Sequence, residues 1–464
     1  MDLIDRLRAI TPHVLTGPDA LPYGRDWVGK YVTTPLAVVR PNTTAEVSAI
    51  MALAHDTATP VVPMGGNTGL TGATAAEGAL ILSLERMNRI REIRPEARIA
   101  VVEAGVILQE LHTAAEAQGL SYPMTFGAKG SARIGGTLAT NAGGSNVLRY
   151  GNTRDLCLGI EVVLADGRVL DLMSELHKDN SGYDLRDLMI GAEGTLGVIT
   201  AAVLKLTPLP QAYATAMVTV PSLPDALQLL NRLQEHTGGM VEAFEYMPRD
   251  YMARLAQFRA DLIPPLGHDV DHMIFLEIAS TVPRDCILDE TGQVPLVSAL
   301  EEMLGEMFEA GLVLDAALAG SVAQRRLMWE IREAAAEISV NTKPLVINDL
   351  CLPVDQIETF LSRAEARLKP LDPGVTSCTV SHLGDGNVHY TIYPSTAALC
   401  EPLMEAVEDI VQNMRGSFSA EHGIGLGKLS SMQRRKDPVA LEMMRAVKAA
   451  FDPKGILNPG KTLP

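Results

Sequence analysis

Two histidines near the C-terminal end are the side chains best suited to chemistry. His382 and His389 lie seven residues apart, in a stretch rich in Gly, Asp and Asn. β-Branched and aromatic residues flank this stretch, which predicts two strands joined by a tight turn. Such a hairpin can place both imidazoles on one side of a sheet edge, where they could share one metal ion. The alternative is a pair of hydrogen-bonded loop histidines.

A second polar stretch follows among glycines. It contains Glu421 and His422 and ends at Gly425. Two imidazoles and one carboxylate are a common ligand set for Zn, Mn or Fe. The stretch therefore supplies a third candidate ligand for one divalent-metal site.

Three glycine-rich stretches lie in the first half of the chain, at residues 64–70, 127–144 and 191–200, each next to a predicted strand. Glycines at such places let backbone N–H groups approach a pyrophosphate closely. None matches GxGxxG opening a helix, so a Rossmann fold is not supported. Tight turns in a β-rich domain are the alternative. Residues 423–428 are not a P-loop, because Leu429 stands where Ser or Thr must bind magnesium.

The composition excludes several classes of protein. The chain has 464 residues, 47% of them hydrophobic and 20% charged, which suits a globular protein of two or three domains. A net charge of −17 repels phosphate backbones, so we expect no nucleic-acid partner. The five scattered cysteines argue against disulfides and a thiolate metal site. No apolar run predicts a membrane span, and the start does not have the pattern of a secretory signal, so we expect a soluble cytoplasmic protein.

The pattern of elements changes once along the chain. From residue 35, short strands alternate with helices, one of which begins near residue 43 with a capping-type start. Beyond the Pro-Leu-Pro at 208–210, strands alternate with longer amphipathic helices. We place a domain boundary near 208–212.

Two groups of motifs carry a resemblance to a known family. One group is similar to the FAD-binding half of the vanillyl-alcohol-oxidase-type flavoproteins, at residues 63–70, 134–144, 149–151 and 191–197. The other is similar to the C-terminal half of the D-lactate and D-2-hydroxyglutarate dehydrogenases, at residues 381–389, 421–425 and 458–461. The match runs from about residue 33 to the end. The chain is thereby identified as a member of the FAD-linked D-2-hydroxy-acid dehydrogenase family.

The resemblance implies an α+β fold in two main parts. A PCMH-type FAD-binding domain of two subdomains is expected over residues 1–209, with its core from about residue 33. A substrate- and metal-binding domain with a large antiparallel sheet flanked by helices is expected over residues 210–430. A C-terminal helix and tail, residues 431–464, is expected to return to the FAD-binding domain.

The resemblance also implies that the glycine stretches bind FAD. Some relatives attach the flavin covalently through a His in the first of them, but Asn67 and Thr68 stand there without a His, so we expect non-covalent FAD. The expected FAD-binding residues are Pro63, Gly65, Gly66, Asn67, Thr68, Gly69, Leu70, Gly127, Ala128, Ser131, Gly135, Gly136, Thr140, Ala142, Gly143, Arg149, Tyr150, Gly151, Glu193, Gly194, Gly197, Ile199 and Asn458.

For the chemistry, the resemblance implies that His382, His389 and Glu421 bind zinc or manganese. The remaining expected roles are a general base, a contact to the substrate and a clamp for its carboxylate, assigned to His422, Asn387 and Arg332. The alternative for Arg332 is a solvated position on a helix face, and Lys343 is a weaker candidate for the clamp.

The sequence differs from the D-2-hydroxyglutarate dehydrogenase branch at two positions expected to contact the substrate. Enzymes acting on D-2-hydroxyglutarate carry a Thr four residues after the clamping Arg, and a Lys two residues before the Asp of an Asp-Leu-x-Leu-Pro segment. Ala336 and Ile347 stand at these positions here. Residues 178–185 are nevertheless similar to the hydroxyglutarate branch. We give Ala336 and Ile347, the expected pocket positions, more weight than residues 178–185. We therefore expect a D-2-hydroxy acid with a small or apolar side chain, with D-2-hydroxyglutarate as the other choice.

The expected activity is therefore the oxidation of a D-2-hydroxy acid, with electrons passing to a quinone or an electron-transfer flavoprotein. The sequence leaves a homodimer open. The alternatives are a metal-independent flavin oxidase for an alcohol or sugar lactone, and a non-catalytic FAD subunit of a glycolate-oxidase-type complex. The intact histidine and carboxylate set argues against the second alternative.

Overall fold

The computed structural model describes residues 2–288, 290 and 292–464. The chain divides into two compact units. The first comprises Met1–Gly143, Gly151–Pro208 and Glu421–Pro464, and the second comprises Gly144–Tyr150 and Leu209–Ala420. These units differ from the predicted domain limits at three places, because residues 144–150 and Leu209 belong to the second unit and residues 421–430 to the first.

The elements are numbered in chain order. The strands are β1 Val14–Leu15, β2 Ala37–Val39, β3 Val61–Met64, β4 Leu80–Ser83, β5 Ile90–Arg94, β6 Ile99–Glu103, β7 Leu120–Ser121, β8 Cys157–Val163, β9 Val169–Leu172, β10 Val198–Lys205, β11 Thr207–Pro208, β12 Ala212–Thr219, β13 Val241–Pro248, β14 His272–Ser280, β15 Asp315–Leu318, β16 Val346–Cys351, β17 Thr376–His382 and β18 Asn387–Tyr393. The α-helices are α1 Leu3–Ile10, α2 Thr44–Thr57, α3 Leu108–Glu116, α4 Ile134–Thr140, α5 Val147–Tyr150, α6 Leu185–Met189, α7 Leu223–Thr237, α8 Arg249–Phe258, α9 Pro295–Glu309, α10 Val322–Glu333, α11 Ala335–Val340, α12 Ile357–Leu368, α13 Cys400–Asn413, α14 Leu429–Arg435 and α15 Pro438–Phe451.

The first unit contains two main sheets. One has four strands in the order β1-β2-β4-β3, with β2, β3 and β4 parallel. The other has five antiparallel strands in the order β5-β6-β10-β8-β9. The implied pair of α+β subdomains is therefore present.

Helix α2 shows how local sequence sets an element of this unit. The Thr43 side chain accepts a hydrogen bond from the backbone N–H of Glu46, and the Glu46 carboxylate accepts one from the N–H of Asn42. These bonds satisfy N–H groups that have no partner within the helix. The helix ends at Ala58, which adopts a left-handed conformation, and its buried face includes Val47 and Ile50.

The second glycine stretch contains a short helix. Residues 134–140 form α4, so the stretch is not an open loop throughout. Gly135 and Gly136 lie inside this helix, where a Cβ at Gly135 would lie 2.7 Å from that of Ala104. Close packing against β6 and its following turn thus explains a helix with two glycines, which local propensity disfavours.

The second unit is built on a seven-stranded antiparallel sheet in the order β15-β12-β14-β13-β17-β18-β16. Different helices pack on its two faces. On one face, the strands pack against residues of α7, α9, α12 and α13 in the larger core. The other face packs against α8, α10 and α11. The predicted α+β class with a large antiparallel sheet is confirmed. In the described part of the chain, no helix is both long and apolar enough to span a bilayer.

Candidate active site

The two histidines lie on the predicted hairpin of β17 and β18. His382 pairs with Asn387 and Val380 pairs with His389, so both imidazoles project from the same face of the sheet. Their ring centroids are 5.3 Å apart. Gly386 in the turn has φ +85, and a Cβ there would overlap the carbonyl oxygen of Leu352, so the turn requires glycine.

Glu245 links one of these histidines to an arginine. It lies on β13 opposite His382 and is fully buried. Its Oε1 lies 2.8 Å from His382 Nδ1, and its Oε2 accepts a hydrogen bond of 2.6 Å from Arg332 Nε. Burial raises the pKa of Glu245, but the charges of Arg332 and His382 outweigh it and lower the pKa to about 2. Glu245 is therefore an anion that only accepts hydrogen bonds.

Arg332 is a buried side chain in the last turn of α10. It is 7% exposed, which rules out the solvated helix-face alternative. Its Nη2 lies 3.4 Å from His382 Nδ1. The cation expected to clamp a carboxylate is thus placed beside an expected metal ligand.

Asp349 is the carboxylate beside the other histidine. It pairs with His389 across β16 and β18, is fully buried, and its Oδ1 lies 3.8 Å from His389 Nδ1. The two side chains offer ligand atoms close enough to share one ion. Asn387 donates its amide hydrogens to Asp349 Oδ1 at 3.0 Å and to Leu350 O at 2.9 Å. Asn387 therefore orients Asp349 in this structure, and its contact with a substrate stays a prediction.

Two further expected site residues open the last segment of the first unit. Glu421 Oε1 and His422 Nε2 are 3.7 Å apart and both side chains are partly exposed. Thr71 donates its hydroxyl to the His422 carbonyl at 3.3 Å. In the chain, Glu421 directly follows Ala420, whose N–H donates to Asp349 Oδ2 at 3.1 Å.

Glu193 anchors this segment. Its carboxylate accepts hydrogen bonds of 2.8 Å from the backbone N–H groups of Ile424 and Gly425. Burial raises the pKa of Glu193, against the effect of these bonds. The Glu193 carboxylate thus binds the segment that carries His422, and its expected contact with FAD stays a prediction.

The three glycine stretches meet within the first unit. A Cβ at Gly66 would overlap the carbonyl of Ser131, and one at Gly194 would lie 3.1 Å from Pro63. Asn458 donates to Glu193 O in the third stretch at 2.8 Å and to Ala73 O, shortly after the first stretch, at 3.0 Å. The structure thus brings the expected FAD-binding stretches together.

Two of the expected FAD-binding residues lie in the second unit. Arg149 donates to Glu242 Oε1 at 3.0 Å and to Ala279 O at 2.7 Å, and the Tyr150 hydroxyl donates to Glu242 Oε1 at 2.6 Å. These contacts fix residues 144–150 to the second unit. A role of either side chain in binding FAD stays a prediction.

Glu245 and Asp349 were not among the predicted site residues. Each is a charged residue within a strand of otherwise largely buried apolar residues. Since a buried carboxylate requires a partner, this pattern is the signal that could have identified them.

Comparisons with known proteins identify the family. The chain matches a family model described as FAD linked oxidases, C-terminal domain, over residues 209–462, and one described as FAD binding domain over residues 35–173. It is 36% identical over 469 residues to D-2-hydroxyglutarate dehydrogenase, mitochondrial, of Bos taurus, covering 100% of this chain and 83% of that protein. It is 35% identical over 470 residues to D-2-hydroxyglutarate dehydrogenase of Stutzerimonas stutzeri, covering 99% of this chain and 98% of that protein. The chain belongs to the FAD-linked D-2-hydroxy-acid dehydrogenase family.

The predicted family membership is thus confirmed, and with it the class of FAD-dependent dehydrogenase. Solved structures of low sequence identity show the same fold. The crystal structure of p-cresol methylhydroxylase with substrate bound has a TM-score of 0.76 at 16% identity, covering 99% of this chain and 96% of that one. Alkyldihydroxyacetonephosphate synthase has a TM-score of 0.70 at 18% identity, covering 98% and 84%.

Proposed function

We propose that this protein oxidises a D-2-hydroxy acid to the 2-oxo acid, with a divalent metal ion and FAD. The observation that carries the proposal is the row of buried polar groups on one face of the large sheet. Arg332, Glu245 and His382 lie in contact there, on the same face as His389 and Asp349. A guanidinium suits a substrate carboxylate, and imidazoles suit a metal that binds the neighbouring hydroxyl.

The donor set fits a divalent metal. Because Glu245 accepts at His382 Nδ1, the proton lies on that nitrogen and Nε2 points away from the carboxylate as a possible ligand. We propose His382, His389 and Glu421 as the ligands, and Asp349 as a neighbour or further ligand of His389. A divalent cation bound there would lower the pKa of a coordinated hydroxyl.

The first unit fits FAD in a comparable way. A Cβ at Gly69 or Gly127 would meet no atom within 4 Å, so the backbone faces open space at both positions. The buried Asn458 Oδ1 has no hydrogen-bond partner among the described residues, which suits a donor from a ligand. Bound FAD would accept the hydride from C2 of the substrate.

Side chains of this protein would bind the substrate carboxylate and take the hydroxyl proton. Arg332 would hold the substrate carboxylate through its terminal nitrogens, because Glu245 occupies Nε. His422 would take the hydroxyl proton, since a neutral imidazole is an effective base near neutral pH. Together these groups fix which C–H bond is presented for oxidation.

The first candidate substrate has a small or apolar side chain. Ile347 follows the alternation of β16, so it shares a face with Asp349 and His389, and it is 37% exposed. Ala336 on α11 is also exposed. Neither residue can bond a second carboxylate. D-2-hydroxyglutarate is the second candidate, favoured by the names of relatives that are 35% and 36% identical over nearly the whole chain.

Anaerobic reduction of the bound flavin tests the proposal. D-lactate, D-2-hydroxyglutarate and their L-forms are added to the FAD-loaded protein, and absorbance is followed at roughly 450 nm, where oxidised flavins absorb. We expect bleaching by a D-acid alone, its loss with EDTA, and its recovery with zinc or manganese.

Each other result favours an alternative. Bleaching that survives EDTA points to the metal-independent oxidase. FAD that no acid bleaches points to the non-catalytic subunit. The His382→Ala variant is the matched control, because it should retain FAD and lose the bleaching.

A further inference from the structure

We infer that Glu245 is a positioning residue that sets the orientation of His382 and Arg332 together. This inference rests on the proposed function, in which His382 binds the metal and Arg332 binds the substrate carboxylate. One carboxylate would then fix the relative position of the two groups that hold the hydroxyl and the adjacent carboxylate of a 2-hydroxy acid.

The geometry shows that both carboxylate oxygens of Glu245 are used. Oε1 faces His382 Nδ1 at 2.8 Å and Oε2 faces Arg332 Nε at 2.6 Å. A planar carboxylate with a different partner on each oxygen constrains both the imidazole plane and the guanidinium plane. The side chain therefore acts as a bridge between the two groups.

The strand pairing holds this bridge in place. Glu245 and His382 are directly paired on β13 and β17, so their Cα positions are fixed by the sheet. Glu245 is fully buried, so water does not compete for its oxygens. Arg332 comes from α10, which packs on the same face. The bridge thus joins a strand and a helix that are distant in sequence.

A second buried carboxylate on the same face provides a comparison. Glu277 on β14 accepts hydrogen bonds from Arg325 at 2.7 Å and from Trp329 Nε1 at 3.1 Å, and it is 2% exposed. It has the burial and the arginine partner of Glu245, but Arg325, Trp329 and Thr215, which donate to it, are not expected metal ligands. A purely structural role predicts the same consequences for both glutamates, whereas a positioning role separates them.

The test compares Glu245→Gln, Glu245→Asp and Glu277→Gln, each loaded with FAD. Zinc binding is measured by calorimetry on the chelator-treated protein, and kcat and KM are measured with the acid that bleaches the wild type. Glutamine keeps the shape but supplies an N–H donor where an acceptor is needed. We expect Glu245→Gln to weaken zinc binding by roughly 10- to 100-fold, the usual effect of losing the partner of a ligating histidine. We expect its KM to rise as well, because Arg332 loses its constraint.

The control should behave differently. Glu277→Gln should lower the melting temperature and leave the zinc dissociation constant within about threefold of the wild type. Glu245→Asp keeps the charge but is one methylene shorter, so it should fold and bind zinc with intermediate affinity. This variant keeps the test decisive if Glu245→Gln does not fold.

Three results are distinguishable. Wild-type zinc affinity and KM in both Glu245 variants, with a lowered melting temperature alone, would overturn the positioning role. Equal losses of zinc affinity in the Glu245 and Glu277 variants would also overturn it. A wild-type protein that neither binds zinc nor bleaches with any D-acid would overturn the proposed function, and this inference with it.

Discussion

At the scale of single residues, two apolar side chains bear on the proposed choice of substrate. Ile347 and Ala336 are exposed, on the strand that carries Asp349 and on the helix that follows Arg332. A site built to hydrogen-bond a polar group strongly rejects analogues that lack it, whereas an apolar pocket discriminates weakly. These two positions are therefore the place to test substrate choice.

The double variant Ile347→Lys with Ala336→Thr is expected to shift preference toward D-2-hydroxyglutarate. The new ammonium and hydroxyl would bond the distal carboxylate, which Ile and Ala cannot do. We expect the ratio of kcat/KM for D-2-hydroxyglutarate over D-lactate to rise by about 10- to 100-fold, equivalent to roughly 1.4 to 2.8 kcal/mol. Steady-state kinetics with both acids measures it.

Val354→Lys with Ala397→Thr, on short helical turns of the same unit, is the matched control and should leave the ratio unchanged. An unchanged ratio in the Ile347 and Ala336 variant would show that these residues do not contact the substrate side chain.

His422→Ala is expected to slow flavin reduction by roughly 100- to 10,000-fold, the usual contribution of a general base. Substrate binding should change little. The His422 carbonyl accepts a hydrogen bond from Thr71, and alanine retains this contact. Stopped-flow reduction across a range of substrate concentrations separates the rate from the binding constant. A normal limiting rate would exclude His422 as the base, while partial rescue by added imidazole would support it.

At the scale of elements, the sequence predicts structures formed by neighbouring residues. It does not predict contacts between residues that are far apart in the chain. The hairpin of β17 and β18 was predictable because its turn residues are contiguous. Glu245 was not, because its histidine lies 137 residues further along the chain and only the sheet register brings them together. The partners of the Glu193 carboxylate are unpredictable for the same reason, since they lie 231 and 232 residues away. The helix α4 is not apparent from its glycines, because packing of Gly135 against Ala104 favours glycine there.

The segment that carries Glu421 and His422 depends on a close approach at Gly425. This residue has φ +50, and a Cβ there would overlap the backbone carbonyl of Thr71. We expect Gly425→Ala to shift the segment and lower kcat at least about 10-fold, the usual scale of effects from misplaced catalytic groups. Steady-state kinetics measures the loss.

Gly455→Ala is its matched control. Gly455 has φ +64 but no atom lies within 4 Å of a built Cβ, so this variant carries only the left-handed strain of about 1–2 kcal/mol. Its stability should fall without loss of kcat. Equal kcat in the two variants would show that the contact with Thr71 does not position the segment.

At the scale of the whole molecule, the first unit is assembled from the beginning and the end of the chain. Val61 on β3 forms a parallel bridge with Leu457, and the N–H of Asn458 donates to Val61 O at 2.7 Å. The tail therefore extends the edge of the four-stranded sheet next to Pro63 and the first glycine stretch. The family resemblance predicted that the tail returns, whereas the composition of the tail alone carries no signal of which strand it joins.

Asp452 holds this tail in place. It is 3% exposed, and its carboxylate accepts from Lys448 Nζ at 2.6 Å and from the N–H groups of Ile456 at 3.1 Å and Leu457 at 2.7 Å. Asp452→Ala removes three bonds and leaves the partly buried ammonium of Lys448 bonded to the Thr195 and Leu457 carbonyls. We expect the free energy of unfolding to fall by about 2–4 kcal/mol. FAD should also dissociate more readily, because Asn458 follows the released residues.

Urea unfolding of the FAD-loaded protein, followed by circular dichroism and flavin fluorescence, measures both effects. Asp437→Ala is the control on the same helix, because Asp437 caps the start of α15 through one bond, to the N–H of Ala440 at 2.9 Å. It should cost about 1 kcal/mol and leave FAD bound, since a lost N-cap affects the helix end alone. If the free energy of unfolding falls by the same small amount in both variants and both retain FAD equally well, the bridge between Leu457 and Val61 forms without Asp452. A loss of FAD in Asp452→Ala alone would instead show that the C-terminal tail stabilises the proposed FAD site next to the first glycine stretch.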